Sequence, residues 1–443
     1  MTGYAAASTL TDRADGAHLG LETATGLTPA GLVERPVFFR GLLTRPDVTA
    51  CGLLAVADVA ASRYVDAGLA QRLASLDPVV TASGDRLRFE SFSACNSVHA
   101  RLDVLPDGLA TGEVGFGTTN VDINPPLRAA LAAMGGTELL HLTVGPDELS
   151  AATPTGHHVE RKVALPDRWV RGLAEVPSVA AGMREVVRLV GSQVDRLTRE
   201  VPRSAPPGPV LHLLPPPRGP RLLPRALPGT IAIPGAARLR GAERILRHTN
   251  ALTVHQDEHG STSWTFDLPG ARLTLVLTAD PWRGFSGEGT LLARLAHPRS
   301  EAHGLRLLEW LGWDAVVDAS RLQRDSGLDA DAVADGLAWL AASGRLGYDA
   351  AENGWFHREL PIDSTKVLRR NPRLRNAHEL AGDGVRRRSP TVWQVRATEG
   401  PDHTVTGHLD SLACTCPWAE SHAAGRGPCK HVLAVIICAD TES

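Results

Sequence analysis

Lysine is almost missing from this 443-residue chain: Lys162, Lys366 and Lys430 occur, and every other basic residue is Arg. With abundant Ala, Gly and Pro, that skew reads as a coding bias, so Arg alone carries little information. An excess of charge is missing too. The net charge is −3, so no global basic field points to nucleic acid, and any such binding must rest on a local patch. Apolar runs such as Val432–Ala439 fall far short of the roughly 20 residues that a membrane helix needs, which excludes a spanning segment of that kind. Met1–His18 has no apolar core and already contains Asp12, Arg13 and Asp15, unlike a secretory signal. A cytoplasmic location is therefore expected. Phosphate-loop, H-E-x-x-H and G-x-S-x-G motifs are all missing, so no catalytic residue is assigned and no enzyme is expected.

What is present is ordinary globular material, 43% hydrophobic and 21% charged, in a length that suits several domains. Leu87–Phe92, Leu139–Val144 and Val159–Leu165 alternate apolar and polar residues and predict strands. Asn124-Pro125-Pro126 predicts a capped helix start. Residues 168–199 read as helical, with Val170, Leu173, Val186, Val187, Leu189, Val190, Val194 and Leu197 as an apolar face. Prolines crowd the stretch Pro202–Pro228, where missing amide donors favour an extended linker. Further on, Leu305, Leu308 and Leu311 mark one helix, and a short second helix follows Asp318. A third starts at Asp329 with Val333, Leu337 and Leu340, and a hairpin then turns at Glu352-Asn353-Gly354. That order is the winged helix-turn-helix arrangement.

The fold class expected is α+β and multidomain. An N-terminal α+β domain covers residues 1–200 and a proline-rich linker 201–230. An α+β region covers 231–362, with a winged-helix-like unit at about 303–362. A basic connector then occupies 363–390 and a C-terminal finger 391–443.

The sharpest signal is Cys414-Thr-Cys416 followed, after twelve residues, by Cys429-Lys-His431. Three thiols and one imidazole are a usual tetrahedral set for a structural zinc ion. Two cysteines at i, i+2 share one side of an extended chain, and a Cys-x-His pair entering a helix closes the tetrahedron. Thr391–Ala397 and His403–Leu409 predict the hairpin that delivers the first pair. Val432, Leu433, Val435 and Ile436 give the helix its packing face, and Gly425 and Gly427 let the loop turn. His422 and Cys438 are read as bystanders. One zinc ion, bound by Cys414, Cys416, Cys429 and His431, is expected.

On this C-x-C, spacer, C-x-H pattern, with its Cys-Lys-His ending, the tail resembles the SWIM-type zinc finger. Leu87–Ser93 and Gly117–Pro126 are similar to segments of bacterial SWIM-finger proteins, which extends the resemblance toward most of the chain. The resemblance implies a ββα-like finger that binds zinc and engages DNA or protein. It also implies association with MoxR-like AAA ATPases and von Willebrand factor A proteins.

Two functions stay open on these residues. A protein-interaction scaffold fits the acidic third helix of the winged unit, with Asp329, Asp331 and Asp335, which opposes a phosphate backbone. Nucleic-acid binding fits the basic stretch between Arg358 and Arg396. It holds Lys366, Arg369, Arg370, Arg373, Arg375, Arg386, Arg387 and Arg388 against four acidic residues, and Arg426 and Lys430 follow in the finger. Arg386, Arg387, Arg388, Arg426 and Lys430 are the contacts expected for that reading.

Overall fold

The structure is a computed structural model that describes residues 9–13, 16–20, 26–28, 31–33, 37–64, 78–163, 165–203, 210–216, 219–286, 289, 291–360, 371–409 and 411–439. Lys366, Arg369 and Arg370 lie outside the described residues. Helices and several sheets mix through the chain, as an α+β class requires.

Its centre is an eight-stranded sheet. In spatial order the strands are Phe116–Asn120, Val79–Ser83, Leu87–Phe92, Val98–Val104, Ala271–Leu277, Thr262–Leu268, Ala251–Gln256 and Arg184–Val190. Every pairing is antiparallel. Period-two alternation sends Leu87, Phe89, Ala100, Leu102, Leu273 and Leu275 to one face. There they share an apolar core with Leu53, Leu54, Val56 and Val59 of the helix Pro46–Ala61.

The opposite face is charged and still buried. Arg88, Glu90, His99, Arg101, Asp103 and Arg272 lie there, and the hairpin Leu346–Asp349/Gly354–His357 covers them. Arg101 reaches Asp349 at 2.8 Å and Arg272 reaches it at 3.1 Å, while Arg358 meets Glu90 at 2.8 Å. The Arg88 guanidinium lies 4.1 Å from the centre of the Phe356 ring. Buried charge survives only when paired, and here the partners come from distant parts of the chain.

This sheet corrects the domain division. Val98–Val104 pairs with Ala271–Leu277, and Arg184–Val190 with Ala251–Gln256, so strands from both sides of residues 201–230 form one sheet. The proline-rich stretch is itself partly structured. Leu211–Leu214 pairs with Arg221–Leu223 and with Ile231–Ile233 in a small separate sheet, and prolines sit in the connections between strands. Proline denies donors to a strand interior but not to the turns beside it.

The helix expected over 168–199 is also divided. Asp167–Ala181 and Ser192–Glu200 are helices, but Arg184–Val190 is the sheet's edge strand. The β-branched cluster Val186, Val187 and Val190 favours a pleated strand over a helix. Gly191, at φ +49°, makes the turn into the second helix.

The elements expected of the winged unit come in the expected order: Ser300–Leu308, Ala319–Ser326, Ala330–Ala342 and the hairpin. Asp318 and Asp329 cap their helices, accepting from the Ser320 and Ala332 amides at 2.8 Å. The third helix, however, is not presented as a reading helix. Val333, Leu337, Trp339 and Leu340 are buried in a core shared with Asp167–Ala181 and Leu291–Ala296. Asp335 is buried and paired with Arg294 at 2.7 Å, so it offers no free negative charge to repel a phosphate.

Candidate metal centre

The finger is larger than residues 391–443. A four-stranded antiparallel sheet runs Val385–Ser389, Val392–Val395, His403–Thr406 and Ala413–Cys414. The helix Pro372–Asp383 packs against the terminal helix Lys430–Ala439. Asn371 caps the first of these, accepting from the Arg373 amide at 3.0 Å. The expected connector is therefore structured from residue 371 onward, and the strand Val385–Ser389 belongs to the finger sheet. Leu374, Ala377, Leu433 and Ala434 join the core that holds Leu291 and Leu340, which fastens the finger to the helical part of the body.

Each ligand is set by a local element. Cys414 ends a two-residue strand opposite Val405. Cys416 is the N-cap of the helix Pro417–Arg426, and its Sγ accepts from the Ala419 amide at 3.3 Å. Cys429 precedes the terminal helix, and its Sγ accepts from the Val432 amide at 3.5 Å. Two thiols thus meet the positive ends of helices, which favour thiolate. His431 sits in the first turn of the terminal helix and is buried. Gly427, at φ +71°, ends the intervening helix, and a Cβ there would lie 2.4 Å from the Gly289 carbonyl oxygen. A larger residue would push the finger off the body.

The four donor atoms lie within 4.8 Å of one another. His431 Nδ1 is 3.8 Å from Cys414 Sγ and 3.9 Å from Cys429 Sγ. Ligand edges of roughly 3.5–4 Å follow from zinc bond lengths of 2.3 Å to sulfur and 2.0–2.1 Å to nitrogen. Electrostatics agree with that fit. The hydrogen bond with Cys429 and burial both push the Cys414 thiol up, and burial raises Cys416. Hydrogen bonds from Cys414 and His431 outweigh burial at Cys429 and bring it down to about 4. Thiolates this close repel one another, and a divalent cation is what lets three of them ionise together. Cys414, Cys416, Cys429 and His431 are positioned to bind a zinc ion. Zinc bound there supplies folding energy through a closed, four-ligand shell.

Sequence reasoning missed His403, whose ring centre lies 4.6 Å from that of His431. Nothing in its local sequence marks it, because strand pairing brings it there. The bystanders are placed as expected. His422 is exposed against the Trp418 edge, and the Cys438 thiol donates to the Ala381 carbonyl at 3.3 Å.

The five expected nucleic-acid contacts separate into two groups. Arg386, Arg387 and Arg388 are exposed on the sheet's edge strand Val385–Ser389. Arg426 and Lys430 instead line a cleft of about 450 Å³ that opens onto the metal ligands Cys416, Cys429 and His431, together with Arg373, Trp418, His403 and Glu399.

A Cys₃His cluster, three of its ligands buried and Cys414 half-buried, held at two helix starts, defines a zinc finger. Residues 403–440 match the family model of the SWIM zinc finger. No curated protein matches the chain. Among solved structures, part of the chain is similar to the crystal structure of Proliferating Cellular Nuclear Antigen from Entamoeba histolytica. That match is 10% identical, covers 55% of this chain and 98% of that one, and has a TM-score of 0.38. Among the described residues no helix is long and apolar enough to cross a membrane.

Proposed function

We propose that this chain is a non-catalytic interaction protein whose zinc-stapled finger docks a protein partner. One observation carries the reading: an open cleft reaches the metal ligands Cys416, Cys429 and His431, while the helix that would read DNA is buried in the core. A four-ligand zinc shell leaves no position for a reacting water, which supports a docking role over chemistry. The resemblance to bacterial SWIM-finger proteins makes MoxR-like AAA ATPases and von Willebrand factor A proteins the candidate partners. Affinity capture from the native host tests this. Such a partner should be retained by the zinc-loaded chain and lost with Cys416→Ser. Equal retention by both would remove the finger from the role.

A second reading rests on Arg386, Arg387 and Arg388, which stand exposed on the edge strand. If they neutralise phosphates, replacing all three with Ala weakens nucleic-acid binding without regard to sequence. The salt slope then falls by about 0.7–0.9 per lost contact. No binding even at low salt sinks this second reading.

A further inference from the structure

The strand Arg184–Val190 ends the eight-stranded sheet, and among the described residues no strand pairs with its outer edge. The edge is accessible along most of its length. Arg184, Glu185 and Arg188 are exposed, and Val186 and Val190 are 40% and 54% exposed. Arg184 and Val186 also line an open cleft of about 700 Å³, so the first half of the strand borders open space. At Val190 the edge is closed, because that amide donates to the Gln193 side chain at 3.2 Å. An uncovered edge of this length is a template for another strand.

A bulge decides what that strand should carry. Successive residues of a strand point to opposite faces, so Glu185 and Arg188, three apart, would ordinarily lie on opposite faces. The pairing register skips Val186, however. Glu185 stands across from His255, Val187 from Val254 and Arg188 from Thr253. The extra residue brings Glu185 and Arg188 onto one face, with Val187 between them buried on the other. The Gly191 amide donates inward to the Asn250 carbonyl, whereas the Val190 amide donates outward to Gln193. The same alternation, followed back across the bulge, turns the amides and carbonyls of Arg188 and Glu185 outward.

We infer that a second copy of this chain pairs with this edge, antiparallel and about a two-fold axis at Val187. In that register Glu185 of each copy lies opposite Arg188 of the other, and the two residues exchange both backbone hydrogen bonds. Opposite charges meet on one face, and the two-fold axis repeats the contact. Arg188 can take the added partner. Its Nη atoms donate to Thr253 at 2.9 Å and to Asp267 at 3.2 Å, and Nε has no bond among the described residues. Sliding the strands by two positions sets Arg188 against Arg188 or Glu185 against Glu185, so the charges select one register. Charged edges ordinarily ward off other strands. Here the two signs are spaced to repel most strands and to fit this one. The pairing also covers Val186, which adjoins the axis, and Gln193 ends it at Val190.

Sedimentation equilibrium of the zinc-loaded full chain, from about 1 to 100 μM, tests it, because one strand pair is a small interface. Monomer should pass to dimer across that range, and no larger species should form, since a two-fold interface closes on itself. Glu185→Arg and Arg188→Glu should each weaken the dimer about tenfold, with zinc content unchanged, because each sets like charges opposite on both sides of the axis. Mixed in equal amounts, the two variants should recover the dimer, because only unlike charges then meet. Arg188→Glu also places a second carboxylate beside Asp267. Should it fail to fold, Glu185→Arg alone decides: loss of the dimer supports the pairing, and an unchanged dimer overturns it. A wild-type chain that stays monomeric throughout overturns the inference and leaves the edge to a strand of another protein. Dimers undiminished in both variants, or folded variants that stay monomeric when mixed, overturn it as well.

Discussion

The finger takes its four ligands from residues 414 to 431, whereas Arg358 and Glu90, which form a buried ion pair in the body, stand 268 residues apart. Both clusters bury charged or ionisable groups that water would otherwise hold, and both need a partner to do so. In the finger the partner is a cation from solution, so the cluster can be written into a short motif. In the body the partner is another side chain, brought in only when the sheet and hairpin have formed. One cluster is local and metal-dependent; the other is non-local and indifferent to metal.

Removing the metal should break the comparison most visibly. Chelation should raise hydrogen exchange through Pro372–Asp383, Val392–Val395 and the terminal helix, since structural zinc contributes on the order of 10 kcal/mol in isolated fingers. Loosening should reach Leu291–Ala296, whose core the terminal helix shares, while Leu87–Phe92 and Val98–Val104 stay protected. Exchange rising equally in those strands would mean that the two clusters are one cooperative unit.

Next in size is the ion pair. Arg358→Ala leaves the Glu90 carboxylate buried beside His99 and should cost about 3–5 kcal/mol in denaturant unfolding, with zinc content unchanged. A loss near zero would show that water reaches Glu90.

The body should also lose stability with acid in two stages. Burial lowers His99 below its usual range, and its Nδ1 has no hydrogen-bond partner among the described residues, so a proton there would be buried unsatisfied. The unfolded chain takes up that proton first, and stability falls as pH drops below about 6.5. At Glu90 burial opposes ionisation, but Arg358 and His99 outweigh it and hold the carboxyl well below the usual range. Its contribution is full above the ordinary carboxylate pKa and is lost as pH falls below it. Unfolding free energy measured from pH 8 to pH 3 should decline along this course. A flat profile would contradict the pairing.

The smallest effect is expected at the surface. Replacing Arg386, Arg387 and Arg388 with Ala should change stability by no more than about 0.5 kcal/mol, because the three side chains are exposed on an edge strand. A larger loss would mean that the edge is packed by something else.

The same division explains what the sequence reveals. The metal ligands, the caps at Asn124, Asp318 and Asp329, and the strand Leu87–Phe92 are legible because each rests on neighbours within a few residues. The charged residues of that strand were not legible as buried. Alternation alone reads Arg88 and Glu90 as a wet face, and only the hairpin at Leu346–His357 makes it dry. Arg184–Val190 continues the apolar spacing of the helices beside it, and its β-branched valines become a strand once paired with Ala251–Gln256. Pro202–Pro228 resembles a boundary until the strands on its two sides are seen in one sheet. The finger's site was read from its motif, but its cleft was not, because Arg373 and Trp418 meet across 45 residues.

The central claim is a closed zinc site made by Cys414, Cys416, Cys429 and His431. X-ray absorption at the zinc edge on the purified full chain measures it directly. The account predicts about one zinc per chain, with three sulfurs near 2.3 Å and one nitrogen near 2.0 Å. A site with an oxygen in the first shell, or zinc unchanged in Cys416→Ser, would contradict it.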